Sequence, residues 1–120
     1  MNKAADILVI DDEQVIIDAV IKICSLDNYS VDAALNVKTA IEKISKNYYP
    51  IIICDIMMPD GDGFNILDEL HRKNFSSALI MMTGYSTVEN AVNSLYKGAV
   101  DFVPKPFTVD ELLSSVKRAT

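Results

Sequence analysis

Whatever chemistry this sequence performs rests on a few side chains that close apolar runs. Asp11-Asp12-Glu13 ends the run Ile7-Leu8-Val9-Ile10, Asp55 ends Ile51-Ile52-Ile53-Cys54, and Thr83 ends Ala78-Leu79-Ile80-Met81-Met82. Lys105 stands between Pro104 and Pro106 after the short run Val100-Asp101-Phe102-Val103. Brought to one place, the carboxylates repel one another by roughly 1 to 4 kcal/mol per pair at about 4 Å, depending on the dielectric. A cation therefore belongs among them. One or two carboxylates with open positions for water and phosphate describe a Mg2+ site and suit Ca2+ or Zn2+ less well. With the Lys105 ammonium and the Thr83 hydroxyl added, the inventory fits a phosphoryl group held on a carboxylate, with Asp55 as the nucleophile.

The elements that must position these groups alternate. Short β-branched runs closed by acid, Pro or Gly read as strands buried on both faces. Between them, Glu13 to Leu26 carries Ile16, Val20, Ile23 and Cys24 at helical spacing. Asn36 can cap a helix that turns Ala40, Ile41 and Ile44 inward. Phe64, Leu67 and Leu70 mark a third helix. Ser86-Thr87-Val88-Glu89 has capping-box spacing ahead of a stripe of Val88, Ala91, Val92 and Leu95 that stops at Gly98. Thr108-Val109-Asp110-Glu111 opens a last helix with Leu112, Leu113 and Val116 inward. Tyr29 to Ala34 is the weakest strand pattern.

Strands alternating with helices imply a parallel sheet with right-handed crossovers and helices on both faces. Five of each suits the flavodoxin-like α/β sandwich with strand order 2-1-3-4-5 better than a barrel. In that order the strands ending at Asp11, Asp55 and Thr83 are neighbours, so Asp11, Asp12, Asp55, Thr83 and Lys105 converge beyond the carboxyl edge, where such sheets bind ligands.

Bulk properties narrow the class. A chain of 120 residues, half of them hydrophobic, is the size of one globular domain. Its 17 acidic against 11 basic residues, net charge of -6 and pI near 4.6 argue against direct contact with nucleic acid or an anionic membrane. Cys24 and Cys54 lie in apolar segments without metal-type spacing, as core residues do in a reducing compartment. No signal peptide or membrane span is legible, so the expected location is cytoplasmic.

Taken singly, each feature has a plainer reading: first-turn acids at residues 11 to 13, a turn or cap at Asp55, a solvated loop charge at Lys105. Their joint placement at one sheet edge favours a site. A dehalogenase-type phosphatase also uses a strand-end Asp and Mg2+, but it wants a second Asp where Met57 stands. A flavin module would meet its phosphate with Asp11-Asp12-Glu13, which repels it.

In four pieces, taken in order, the chain resembles the receiver domains of two-component response regulators. They are Ile7-Leu8-Val9-Ile10-Asp11-Asp12-Glu13, Asp55-Ile56-Met57-Met58-Pro59-Asp60-Gly61-Asp62-Gly63, Thr83-Gly84 and Lys105-Pro106-Phe107. The resemblance covers essentially the whole chain and implies one receiver domain over residues 1–120. It implies that Asp55 accepts a phosphoryl group from a histidine kinase, and that Asp12, Asp55 and the Met57 backbone carbonyl bind Mg2+, with Asp11 completing the acidic pocket. By the same resemblance Thr83 is the switch hydroxyl, Lys105 binds the phosphoryl group, and the Lys105-Pro106 bond is cis. Phe102 is an aromatic switch that, lacking a Tyr hydroxyl, favours the inward state. Met57 and Tyr85 tune the phosphoryl lifetime and, being bulky and without acid or amide, imply slow autodephosphorylation. The surface of the last two helices and last strand would carry the output to an output domain or partner and could support a homodimer. A receiver-like interaction module that works without phosphorylation is the alternative. The stretches Gly84 to Val92 and Phe102 to Phe107 are similar to receivers of σ54-dependent activators. The chain ends at Lys117-Arg118-Ala119-Thr120, where a linker would begin, so a stand-alone receiver and a piece of a longer regulator both fit.

Overall fold

In a computed structural model of the chain, residues 3–73, 76–84, 93 and 98–120 are described. Five strands form one parallel sheet: β1 (Ile7–Ile10), β2 (Val31–Ala34), β3 (Ile51–Asp55), β6 (Ala78–Thr83) and β7 (Asp101–Pro104), in the order β2-β1-β3-β6-β7. Counted within this sheet alone, that is the expected order 2-1-3-4-5. A ribbon of β4 (Met57–Met58) and β5 (Gly61–Asp62) follows β3; the sequence pattern read it only as a Pro-Gly loop. The helices are α1 (Gln14–Ser25), α2 (Val37–Lys46), α3 (Gly63–Arg72) and α4 (Val109–Ala119). The helix expected after Ser86 lies outside the described residues except for residue 93, which is helical.

β3 is buried along its whole length, as a central strand covered on both faces must be. Its side chains alternate between two cores. Ile52 and Cys54 join Leu8, Ile10, Ala40, Ile44, Ile66 and Leu70, the α2–α3 layer. Ile51 and Ile53 join Ile7, Val9, Ile17, Val20, Leu112 and Val116, the α1–α4 layer. Each fully buried aliphatic side chain contributes roughly 1.5 to 3 kcal/mol, so β3 is held rigidly on both sides. The period of two then delivers Asp55 to the same face as Ile51 and Ile53.

Two details of the helices differ from the sequence pattern. In α1 the fully buried positions are Ile17, Val20 and Cys24, while Ile16 and Ile23 are only partly buried at the edges of that stripe. In α4 Ser115 is buried beside Leu112 and Val116, because its hydroxyl donates to Asp101 at 2.9 Å. The caps follow expectation. Asn36 accepts from Thr39 N at 2.7 Å, and Thr108 with Glu111 forms a complete capping box. Both cysteines are buried and neither is in a disulfide, and burial pushes the Cys24 thiol up to about 11. No helix among the described residues is long and apolar enough to cross a membrane.

Candidate functional site: the acidic edge of the sheet

The register of the ladder aligns the strand ends. Ile10 pairs with Cys54, Asp55 with Met82, and Thr83 with Pro104. Asp11 extends β1 by one step, its N–H donating to Ala34 O at 3.1 Å, and Ile56 N bonds to Met82 O at 3.1 Å. Asp11, Asp55 and Thr83 are all buried at this edge, whereas Asp12 is exposed. One carboxylate oxygen from each of Asp11, Asp12 and Asp55 lies within 4.8 Å of the others.

Lys105 enters this group from the loop after β7. Its N–H donates to Thr83 O at 2.9 Å, which ties its backbone to the end of β6, and the peptide bond to Pro106 is cis. The ammonium donates to Asp55 Oδ2 at 3.0 Å, stands 2.6 Å from Asp11 Oδ2 and 3.9 Å from Glu13 Oε1. Burial alone would lower the lysine's pKa, but the Asp11 and Asp55 carboxylates outweigh it and hold the ammonium above its ordinary value.

Asp11 is in the opposite position. Its Oδ1 accepts from Glu13 N at 2.9 Å, and its Oδ2 meets Lys105 as an ion contact whose angles do not make a hydrogen bond. Burial raises its pKa above the ordinary carboxylate value, against the lowering effects of Lys105 and the Glu13 N–H. Asp11 Oδ2 is fully buried and shares the Lys105 ammonium with Asp55, so the two carboxylates carry more negative charge than one lysine neutralises. A divalent cation would balance the remaining charge. The donor set, three carboxylates of which one faces solvent, therefore fits a hard, oxygen-binding metal with open coordination positions.

The sequence-derived residues are thus largely brought together: Asp11, Asp12, Asp55 and Lys105 by direct proximity, Thr83 by its place beside Asp55's ladder partner. Met57 sits two residues beyond Asp55 in β4, where its backbone is placed and its side chain is not described. Tyr85 lies outside the described residues. Phe102 is partly buried and packs against the α2–α3 layer of the core. Glu13 is a third acid near Lys105 to which the sequence pattern assigns no separate role; its place just after the strand end is the available signal.

Comparison with known proteins agrees with this geometry. A family model described as the response regulator receiver domain matches residues 7–117. The transcriptional regulatory protein DltR of Streptococcus agalactiae is 32% identical over 114 residues, 95% of this chain and 51% of that protein. The regulatory protein AtoC of Escherichia coli is 35% identical over 113 residues, 94% of this chain and 24% of that protein. The solution structure of the beryllofluoride-activated NtrC4 receiver domain dimer superposes with a TM-score of 0.88 at 37% identity, covering 94% of this chain and 93% of that one. This chain spans about half or less of the length of these curated relatives. A family match over nearly all of the chain, on a fold whose acidic edge gathers three aspartates and a lysine, means that this protein belongs to the response regulator receiver domains, phosphoacceptor signalling modules of two-component systems rather than turnover enzymes.

Proposed function

We propose that Asp55 is the residue phosphorylated, by a sensor histidine kinase, and that Mg2+ is the metal used. The observation that carries this is the cluster itself: two buried carboxylates sharing one lysine, with a third carboxylate open to solvent. An Asp55 carboxylate oxygen attacks the phosphorus of the donor's phosphohistidine. The phosphorus–nitrogen bond breaks, its electron pair stays on the imidazole, and an acyl phosphate forms. Asp12, Asp55 and the Met57 carbonyl would hold the metal, with Asp11 behind them; bound there, it supplies positive charge for the phosphoryl oxygens. Lys105 is already within bonding distance of Asp55 and needs only a small displacement to pair with a phosphoryl oxygen. Thr83 supplies a hydroxyl donor from the adjoining strand end.

The reading extends to signalling. Thr83 drawn to the phosphoryl group and Phe102 held inward alter the face made by β7, α4 and the segment before Gly98, and that face carries the output. The partial burial of Phe102 against the core supports an inward preference. A cavity of about 330 Å³ on this face, lined by Phe102, Val103, Pro104, Asp110, Glu111, Ser114 and Arg118, gives a partner something to engage. The similar NtrC4 receiver, solved as a beryllofluoride-activated dimer, supports a homodimer. Met57 and Tyr85 are bulky and carry no acid or amide that could orient an attacking water, so autodephosphorylation is slow. Residues 1–120 act as a single receiver domain in the cytoplasm, serving an output domain or partner.

The test is treatment with acetyl phosphate and Mg2+, followed by mass spectrometry. One phosphoryl group on Asp55, abolished in Asp55→Asn and without Mg2+, is expected. No modification of Asp55 would favour an interaction module that works without phosphorylation.

A further inference from the structure

Asp60 belongs to neither the acid cluster nor the hydrophobic pattern, yet it makes two long-range bonds. It sits with Pro59 at the tip of the β4–β5 ribbon, and its carboxylate reaches the amino end of α2. Oδ1 accepts from Val37 N at 3.0 Å and Oδ2 from Lys38 N at 3.1 Å. Asn36 takes Thr39 N, and Ala40 N bonds to Asn36 O at 3.1 Å. All four amide donors at the start of α2 are therefore met, two of them by a residue more than twenty positions away. α2 has no acid in its own first turn, so Asp60 also supplies the negative charge that suits a helix start. These two bonds hold the Asp60 carboxyl below the usual carboxylate range.

The ribbon is tied down on the same side. Gly61 has φ +153, and a Cβ there would come within 2.7 Å of Asn65 Oδ1 and 3.3 Å of Val37 Cγ2. Ile56 and Met58 are buried in the layer that contains Val37 and Ala40. With only two ladder pairs, Met57 with Asp62 and Met58 with Gly61, the ribbon cannot hold its own orientation. Its orientation is set by what its tip grips.

We propose that Asp60 is a positioning residue for the metal: by clamping the ribbon to α2, it fixes the Met57 carbonyl relative to Asp12 and Asp55. This rests on the metal reading of the acidic edge. A residue that served only as a remote helix cap would stabilise α2 and leave the metal site indifferent.

The two roles separate in Mg2+ titrations followed by backbone amide shifts on the unaltered chain, Asp60→Ala, Asp60→Asn and Asn36→Ala. Asn36→Ala removes a cap from α2 without touching the ribbon. Asp60→Ala is expected to weaken Mg2+ binding about five- to tenfold, near the lower end of what outer-sphere partners contribute to metal affinity. Asp60→Asn, keeping one acceptor oxygen, should fall between. Asn36→Ala should melt lower yet bind Mg2+ as the unaltered chain does. Without metal, Met57 and Met58 amide exchange should speed up in Asp60→Ala only. An unchanged affinity in Asp60→Ala, or an equal loss in Asn36→Ala, overturns the clamp while leaving the metal reading intact. An unaltered chain that binds no Mg2+ overturns both.

Discussion

Two carboxylates near the amino-terminal half of the sheet, Asp11 and Asp32, meet opposite fates. Asp32 lies on the edge strand β2 and is fully partnered. Its Oδ1 accepts from Lys43 Nζ at 3.0 Å and from Ala33 N at 2.8 Å, and its Oδ2 from the Tyr49 hydroxyl at 2.7 Å. Burial pushes its pKa up, but the bonds from Tyr49, Lys43 and Ala33 win and hold it below the ordinary value. The same contact and the burial of the ring push the Tyr49 hydroxyl well above its ordinary value. Asp11 is more deeply buried, shares its one lysine with Asp55, and has its pKa raised. The first arrangement is a finished structural tie; the second is left electrostatically incomplete, which is what a metal and a phosphoryl group require.

The contrast breaks most visibly at Lys105. Lys105→Met removes the only cation within salt-bridge distance of Asp11 and Asp55 among the described residues, and should destabilise the metal-free chain by about 3 kcal/mol. Because a ligand that binds only the folded state stabilises it by mass action, saturating Mg2+ should restore much of that loss. Urea melts with and without Mg2+ measure both.

A smaller effect is expected at the finished tie. Tyr49→Phe removes one charge-assisted donor to Asp32 and should cost about 1 kcal/mol, equally with and without Mg2+. It should also change the acid limb. Since the folded-state pKa of Asp32 is depressed, its stabilising contribution is complete above the ordinary carboxylate range and is lost as pH falls through the lower folded value. With Tyr49→Phe that contribution shrinks, so stability should fall less steeply on acidification than in the unaltered chain. Denaturant melts across a pH series show this.

Asp12→Ala should have the smallest effect on the metal-free chain. Asp12 is solvent-exposed, and losing its charge relieves repulsion at the edge, so a slight gain in stability is expected. The gain that Mg2+ gives the unaltered chain should disappear. A variant still stabilised by Mg2+ would place the metal elsewhere.

The sequence shows the centre of the sheet because β1, β3 and β6 are short apolar runs, each stopping at or just before a residue of the site. Once alternation implies a parallel sheet, the adjacency of Asp11, Asp55 and Thr83 follows from strand order alone. What was not legible depends on tertiary distance. Val31-Asp32-Ala33-Ala34 is a weak strand pattern because Asp32 points its charge to Lys43 and Tyr49, partners eleven and seventeen positions away. The α1 stripe centres on Ile17 rather than Ile16 because the three consecutive apolar residues Val15-Ile16-Ile17 leave its phase open until the sheet selects it. Pro59-Asp60-Gly61 reads as a turn from either side, and nothing local reveals that Asp60 grips α2. Lys105 is legible as a site residue, but its ion contacts with Asp11 and Asp55 are not, because they depend on how far its side chain reaches across the edge.

The most direct test of this contrast is a Mg2+ titration of the unaltered chain followed at every assigned backbone amide. Saturable shifts at Asp11, Asp12, Asp55 and Met57, with Asp32, Lys43 and Tyr49 unmoved, are predicted. Shifts of equal size at both carboxylate clusters, or none that saturate, would contradict the account.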